Sequence, residues 1–175
     1  EMLKGRELLS KTLFNVISKS GCSAETITTL MIIRNLLQQQ PGATDPEAWR
    51  KQVLATTAHN GASALYQLHQ ERPFYSNTLL PIPEGIGGRF SALSPVGLFF
   101  LAITAGRGES PESRLQQALH GIKEADELFH LPHDDDYNVP YHLAKWLHLA
   151  EYWEGKGAVL FYNYADNRCL GDWFV

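Results

Sequence analysis

Cysteine is nearly absent from this sequence. It holds two, Cys22 and Cys169, far apart and outside any C-x-x-C pattern. That spacing indicates neither a disulfide framework nor a zinc site, and it fits a reducing compartment. Long apolar runs are missing as well. The longest, residues 96–105 ("VGLFFLAITA"), falls well short of the roughly 20 residues that a membrane-spanning helix needs. The polar opening "EMLKGREL" does not read as a signal peptide. There is no excess of positive charge: the formal net charge is -4, with 19% of residues charged. This argues against nucleic acid or an anionic membrane as the main partner. The expected location is cytoplasmic, and an anionic ligand would have to be met by a local cluster. Internal repeats and low-complexity segments are absent too.

What is present is a globular composition, 44% hydrophobic over 175 residues, enough for a domain with a real core. Residues 11–18 ("KTLFNVIS") read as a short buried strand closed by a serine- and glycine-rich turn. Residues 23–40 follow as a helix, with an apolar stripe at Ile27, Leu30, Met31, Ile33 and Leu37. A second strand is expected at residues 52–57 and a helix at residues 62–72. A third strand, residues 77–83 ("NTLLPIP"), is held by its prolines to an edge or a short pairing. Ser94-Pro95 and Ser110-Pro111 read as N-caps followed by first-turn prolines, launching helices to about Ala105 and His130. "LPHDDDYNVP" reads as a loop, residues 139–155 as a helix and "GAVLFYNYA" as a further strand. Strand and helix alternate nearly throughout, which predicts an α/β fold with a mainly parallel sheet.

Two turns then stand out, because ligands of such sheets sit beyond the carboxyl ends of the strands. After the first strand, "ISKSGCSAET" gathers Ser18, Lys19, Ser20 and Ser23 around Gly21 where a helix begins. Free N–H groups, the helix dipole and several hydroxyls suit a phosphate there; a plain helix cap at Ser23 is the simpler alternative. After the third strand, "GIGGRFS" places Arg89 behind near-adjacent glycines. Glycine permits close backbone approach, and arginine supplies a permanent planar cation for carboxylate, phosphate or enolate oxygens. An internal ion pair with Glu84 is the competing use of Arg89. A dinucleotide fingerprint would require glycine where Phe90 stands. His120, His130, His133 and the run 134–136 match no metal-ligand spacing, so no metal is expected.

Residues 84–97, "EGIGGRFSALSPVG", resemble the glucose-6-phosphate isomerase (phosphoglucose isomerase) signature along its whole length. "VISKSGCSAET" is similar to the same family's phosphate-loop segment, and "ATTAHNGASAL" and "YADNRCLGDWF" resemble its bacterial members. The resemblance implies a sugar-isomerase (SIS), flavodoxin-like fold, here incomplete. It implies interconversion of glucose 6-phosphate and fructose 6-phosphate through an enediolate, in glycolysis and gluconeogenesis, without metal or organic cofactor. Carried over residue by residue, Ser18, Lys19, Ser20 and Ser23 would form the substrate-phosphate pocket. Arg89 would stabilise the enediolate, and the Gly88 backbone would lie close to substrate. Cys22 stands where the family usually has threonine or serine.

In that family the glutamate base, the ring-opening histidine and a late lysine lie beyond "DWF", and a first glycine-rich loop precedes position 1. The expectation is therefore a fragment with half a site, inactive by itself. Residues 1–130 would form the latter part of a first SIS subdomain with connecting helices, and 131–175 a linker helix and the start of a second. "LGDWFV" agrees: Leu170, Trp173 and Phe174 begin an apolar helix face that stops after one turn. The full-length protein would be a homodimer acting on a small phosphosugar. Two rivals remain, a non-catalytic SIS-type module that binds a sugar phosphate as a signal, and an isomerase of another phosphosugar.

Overall fold

The computed structural model describes Leu9 and residues 11–40, 44–106 and 108–158. The strand expected in "GAVLFYNYA", the apolar turn in "LGDWFV" and Cys169 lie almost wholly outside these residues. The chain divides into two compact units, Glu1–Phe100 and Leu101–Val175.

In the first unit a parallel three-stranded sheet runs in the order β1 (Phe14–Ile17), β2 (Val53–Ala58), β3 (Leu79–Ile82). Phe14 pairs with Val53 and Ile17 with Thr56; Ala55 pairs with Leu79 and Ala58 with Ile82. The α/β class with a parallel sheet, anticipated from alternating strand and helix patterns, is thus what the chain forms. The middle strand is buried along its whole length, as a parallel strand covered on both faces must be. That is why "VLATTA" shows no polar alternation. β3 is an edge strand among the described residues, with Pro81 opposite Thr57. An edge is where a residue without an N–H is tolerated.

Helix α1 (Ala24–Gln38) follows β1, and α2 (Ala64–Glu71) follows β2. The core gathers Val16, Leu30, Leu37, Trp49, Val53, Ala55, Leu65 and Phe74. Ile27, Ile33 and Leu36 of α1 pack against it. Met31 does not belong to this stripe, being 62% exposed; one residue after Leu30, it is rotated about 100° away from the core-facing side. Arg50 is buried and serves α2: its guanidinium donates to the carbonyls of Leu68 (3.0 Å) and Arg72 (2.8 Å). It thereby satisfies the Arg72 carbonyl that the helix end leaves open, and adds a second donor to the Leu68 carbonyl, which also accepts the Arg72 N–H. Its Nε donates to Glu47, and that hydrogen bond, followed by the nearby Arg50, Arg34 and Arg72 charges, outweighs partial burial and lowers the Glu47 pKa.

His69 on α2 is a buried titratable group. Its Nδ1 accepts the Phe74 N–H at 3.2 Å, so the neutral ring carries its proton on Nε2. Desolvation first, then the nearby His59 and Arg50 charges, lowers its pKa below the ordinary histidine value. The unfolded chain therefore binds this proton more readily than the folded one, so its contribution to stability is present above about pH 6.5 and is lost as the pH falls through the depressed folded value. Thermal unfolding of the intact protein should show a midpoint that drops as pH is lowered below about 6.5. His69→Gln should flatten that segment of the profile. A drop of the same size in the variant would remove His69 as its source.

Helix α3 spans Pro95–Ile103. The second unit then carries α4 (Pro111–Phe129) and α5 (Val139–Tyr152). Ser110 caps α4 by accepting from the Ser113 N–H, as its Ser-Pro start suggests. Asn138, 1% exposed, pins the intervening loop: its Oδ1 accepts from the Tyr141 N–H at the head of α5, and its Nδ2 donates to the Leu131 carbonyl. None of the helices among the described residues is long and apolar enough to cross a membrane.

Candidate functional site

The carboxyl ends of β1, β2 and β3 lie side by side, and each leads into a turn that carries polar groups. A cleft of about 350 Å³ opens there, lined by Lys19, Ser20, Ser23, Asn60 and Ser63, with Ala58 and Ala62. A larger cleft of about 420 Å³ runs along β1 and α1. Glu25 is the charged group in its lining, so it offers nothing to neutralise an anion. The smaller cleft holds both a cation and hydroxyls, and it is the chemically competent one.

The turn after β1 is fastened from beneath. Ala58 donates its N–H to the Lys19 carbonyl, and Ala64 donates to the Ser20 carbonyl. Thr57, fully buried, donates its hydroxyl to the Ser18 carbonyl at 2.6 Å and stands 2.6 Å from the Ser63 hydroxyl. With its own proton directed to Ser18, Thr57 accepts from Ser63, whose oxygen also accepts the Tyr66 N–H as the cap of α2. This chain of donors ties the turn to β2 and to the first turn of α2. Gly21, at φ +67, is the position that lets the backbone pass so close: a Cβ there would stand 2.4 Å from the Leu65 nitrogen.

The serines do not play equal parts. Ser18 is 5% exposed, accepts from the Gly21 N–H and shares a hydrogen bond with Ser23 at 3.0 Å. It is outside the cleft lining, whereas Ser20 and Ser23 are within it. Ser23 precedes α1, yet its side chain makes no capping hydrogen bond to the helix. The simple cap is therefore not its role: the hydroxyl turns to Ser18, and the first-turn N–H groups of α1 receive no oxygen from it. A helix start left without a side-chain cap keeps backbone donors and the positive end of its dipole available to an anion. Cys22 is exposed with a free thiol.

Arg89 stands in a 3-10 turn, Gly88–Leu93, rather than in an open loop. The turn is wound by serines: Ser91 donates to the Gly88 carbonyl and Ser94 to the Ser91 carbonyl, each at 2.6 Å. Of Gly85, Gly87 and Gly88, only Gly85 needs its left-handed freedom, at φ +81. At Gly88 a Cβ would meet nothing within 4 Å, so that face is open to a ligand. Lys19 links the two turns, its Nζ donating to the Ile86 carbonyl at 3.0 Å. Neither Arg89 nor Gly88 is in the cleft lining; the Lys19 bond ties the segment leading into their turn to a residue that is. Sequence reasoning missed Asn60 and Ser63 in the lining. The Asn-Gly pair after β2 was the signal that could have pointed to Asn60. His59 is exposed and packs edge-on against Tyr66, outside the lining. Among the described residues no three His, Cys, Asp or Glu side chains gather in a metal-binding arrangement.

Comparisons with known proteins bear on this geometry. The phosphoglucose isomerase family model matches residues 2–161. A glucose-6-phosphate isomerase of Carboxydothermus hydrogenoformans is 31% identical over 166 residues, covering 94% of this chain and 32% of that protein. One from Thermus thermophilus is 32% identical over 167 residues, covering 94% and 35%. The crystal structure of a hypothetical protein, also from Thermus thermophilus, superimposes with a TM-score of 0.62 at 30% identity, over 83% of this chain and 32% of that one. The chain thus spans about a third of the length of these relatives. With the family model matching from the first strand through the last described helix, the chain belongs to the phosphoglucose isomerase family.

Proposed function

We propose that this chain supplies the phosphate-binding and arginine-bearing part of a glucose-6-phosphate isomerase site. The observation that carries the reading is the link between the two turns: Lys19 both lines the polar cleft and holds the Ile86 carbonyl in the segment that leads into the Arg89 turn. A phosphosugar needs that arrangement, one pole to seat the phosphate and a second to meet charge that develops several bonds away.

In this reading the phosphate rests against Ser20, Ser23, Lys19 and the first-turn N–H groups of α1, while Ser18 orients the Ser23 hydroxyl. A carboxylate base from outside the chain takes the proton from C2 of the open-chain aldose. The C–H electrons form the C1–C2 double bond and the carbonyl electrons move onto O1; transfer of the O2 hydroxyl proton to O1 and return of a proton to C1, as the C2–O2 double bond forms, give the ketose. The Arg89 guanidinium stabilises the oxyanion electrostatically, and Gly88 leaves room for the carbon chain. Residues 131–175 would begin a second subdomain, and the complete protein would act in the cytoplasm as a homodimer.

The test is conversion of fructose 6-phosphate to glucose 6-phosphate by the 175-residue chain and, in parallel, by the product of the complete reading frame. Turnover in the longer product alone is expected. Turnover in the short chain would contradict the half-site, and silence in both would favour a regulatory module or a different phosphosugar.

A further inference from the structure

Two side-chain bonds from distant parts of the sequence converge on the segment between β3 and Arg89. The first is the Lys19 bond to Ile86. In the second, Glu84 Oε1 accepts from Asn60 Nδ2 at 2.7 Å. The Asn60 amide is oriented by its other end, since its Oδ1 accepts the Ala62 N–H at 3.1 Å, so Nδ2 is the atom left to face Glu84. The backbone carbonyl of Asn60 also accepts from the Ser63 N–H. Asn60 is therefore held to the start of α2 before it reaches across.

Glu84 immediately precedes Gly85, whose φ of +81 marks the point where the chain swings out of β3. A segment hinged on glycine has many accessible directions. Anchors on both sides of that glycine, at Glu84 and Ile86, select one. Resting on the functional reading above, we propose that Asn60 and Glu84 are positioning residues: they form a latch that, with the Lys19 bond, holds the Arg89 turn where its cation meets the developing oxyanion. Neither residue needs to touch substrate for this. A displacement of about 1 Å at a catalytic group can lower the rate by about a hundredfold, so an exposed hydrogen bond of small energy can have a large kinetic effect.

The complete protein would carry Asn60→Ala, Glu84→Ala and Glu84→Gln, each with Arg89 intact and in an Arg89→Ala background. kcat, KM and the thermal midpoint would be read for fructose 6-phosphate. A five- to tenfold loss of kcat is expected for either alanine variant, with KM within about twofold and the midpoint unchanged. Glu84→Gln retains an acceptor oxygen for Asn60 and should keep most of the rate. The double alanine variant should lose little more than either single one, because both break one bond. In the Arg89→Ala background neither variant should have a further effect. Wild-type kcat in both alanine variants, or a loss of equal size without Arg89, would overturn the latch alone. Full turnover on Arg89→Ala would overturn both the latch and the assignment of Arg89 on which it rests.

Discussion

Arg89→Ala, made in the product of the complete reading frame, is expected to lower kcat for the isomerisation by roughly 10²–10³-fold. Removing a single preorganised oxyanion donor has that effect, about 2.7–4 kcal/mol of transition-state stabilisation. The direction of the kinetic change matters as much as its size. If the guanidinium acts on charge that exists only after proton removal, kcat and kcat/KM fall together and KM holds. If it mainly grips the substrate phosphate, KM rises and kcat holds. Arg89→Lys separates charge from shape. An ammonium keeps the cation but loses the planar, two-pronged donor set, so recovery of a small part of the lost rate is expected. Arg89 is exposed on a 3-10 turn that Ser91 and Ser94 wind through their own hydroxyls, so the alanine variant should keep its thermal midpoint. Wild-type kcat in a folded Arg89→Ala protein would remove Arg89 from the chemistry.

What could be read in the sequence was local, and what could not was pairwise. The apolar run of β2 and the proline-limited β3 follow from residue type, because burial on both faces and the loss of an N–H act on each residue separately. Their ends shifted where pairing decided: β1 begins at Phe14, the partner of Val53, rather than at Lys11. The two polar turns were visible because glycine, serine and a lone cation cluster within a few positions. The division of labour among the serines was not. Ser18 and Ser23 look alike in sequence, and only the fold turns one inward beneath Gly21 and leaves the other on the cleft. Nor could Asn60 and Glu84 be paired in advance, since nothing local distinguishes an asparagine that reaches a carboxylate on another strand's turn from one that faces water. Arg50 makes the same point in the core, where its caps on Leu68 and Arg72 exist only once α2 lies beside it.

Two glycine substitutions should separate the folding role of one turn from the chemical role of the other. At Gly21 the added methyl would stand 2.4 Å from the Leu65 nitrogen and 2.9 Å from the Ala64 nitrogen, both backbone atoms, at a φ of +67. Overpacking costs about 1–3 kcal/mol, and the left-handed backbone about 1–2 more for a residue with a Cβ. Against a total stability of roughly 5–15 kcal/mol, Gly21→Ala should lower the thermal midpoint by many degrees and lose activity with it, because it breaks the fastening of the turn after β1 to α2. Gly88 is the opposite case. Its backbone is not left-handed and a Cβ there meets no protein atom within 4 Å, so alanine should leave the midpoint where it is or raise it slightly by restricting the unfolded chain. In the proposed site its methyl would instead occupy the space that substrate enters. A tenfold or greater loss of kcat/KM in Gly88→Ala with an unchanged melting curve is therefore expected, measured on the complete protein. If activity and stability fell together at Gly88, the open face beside Arg89 would be packing surface rather than substrate room. If Gly88→Ala kept full activity, substrate would have to approach Arg89 from another side.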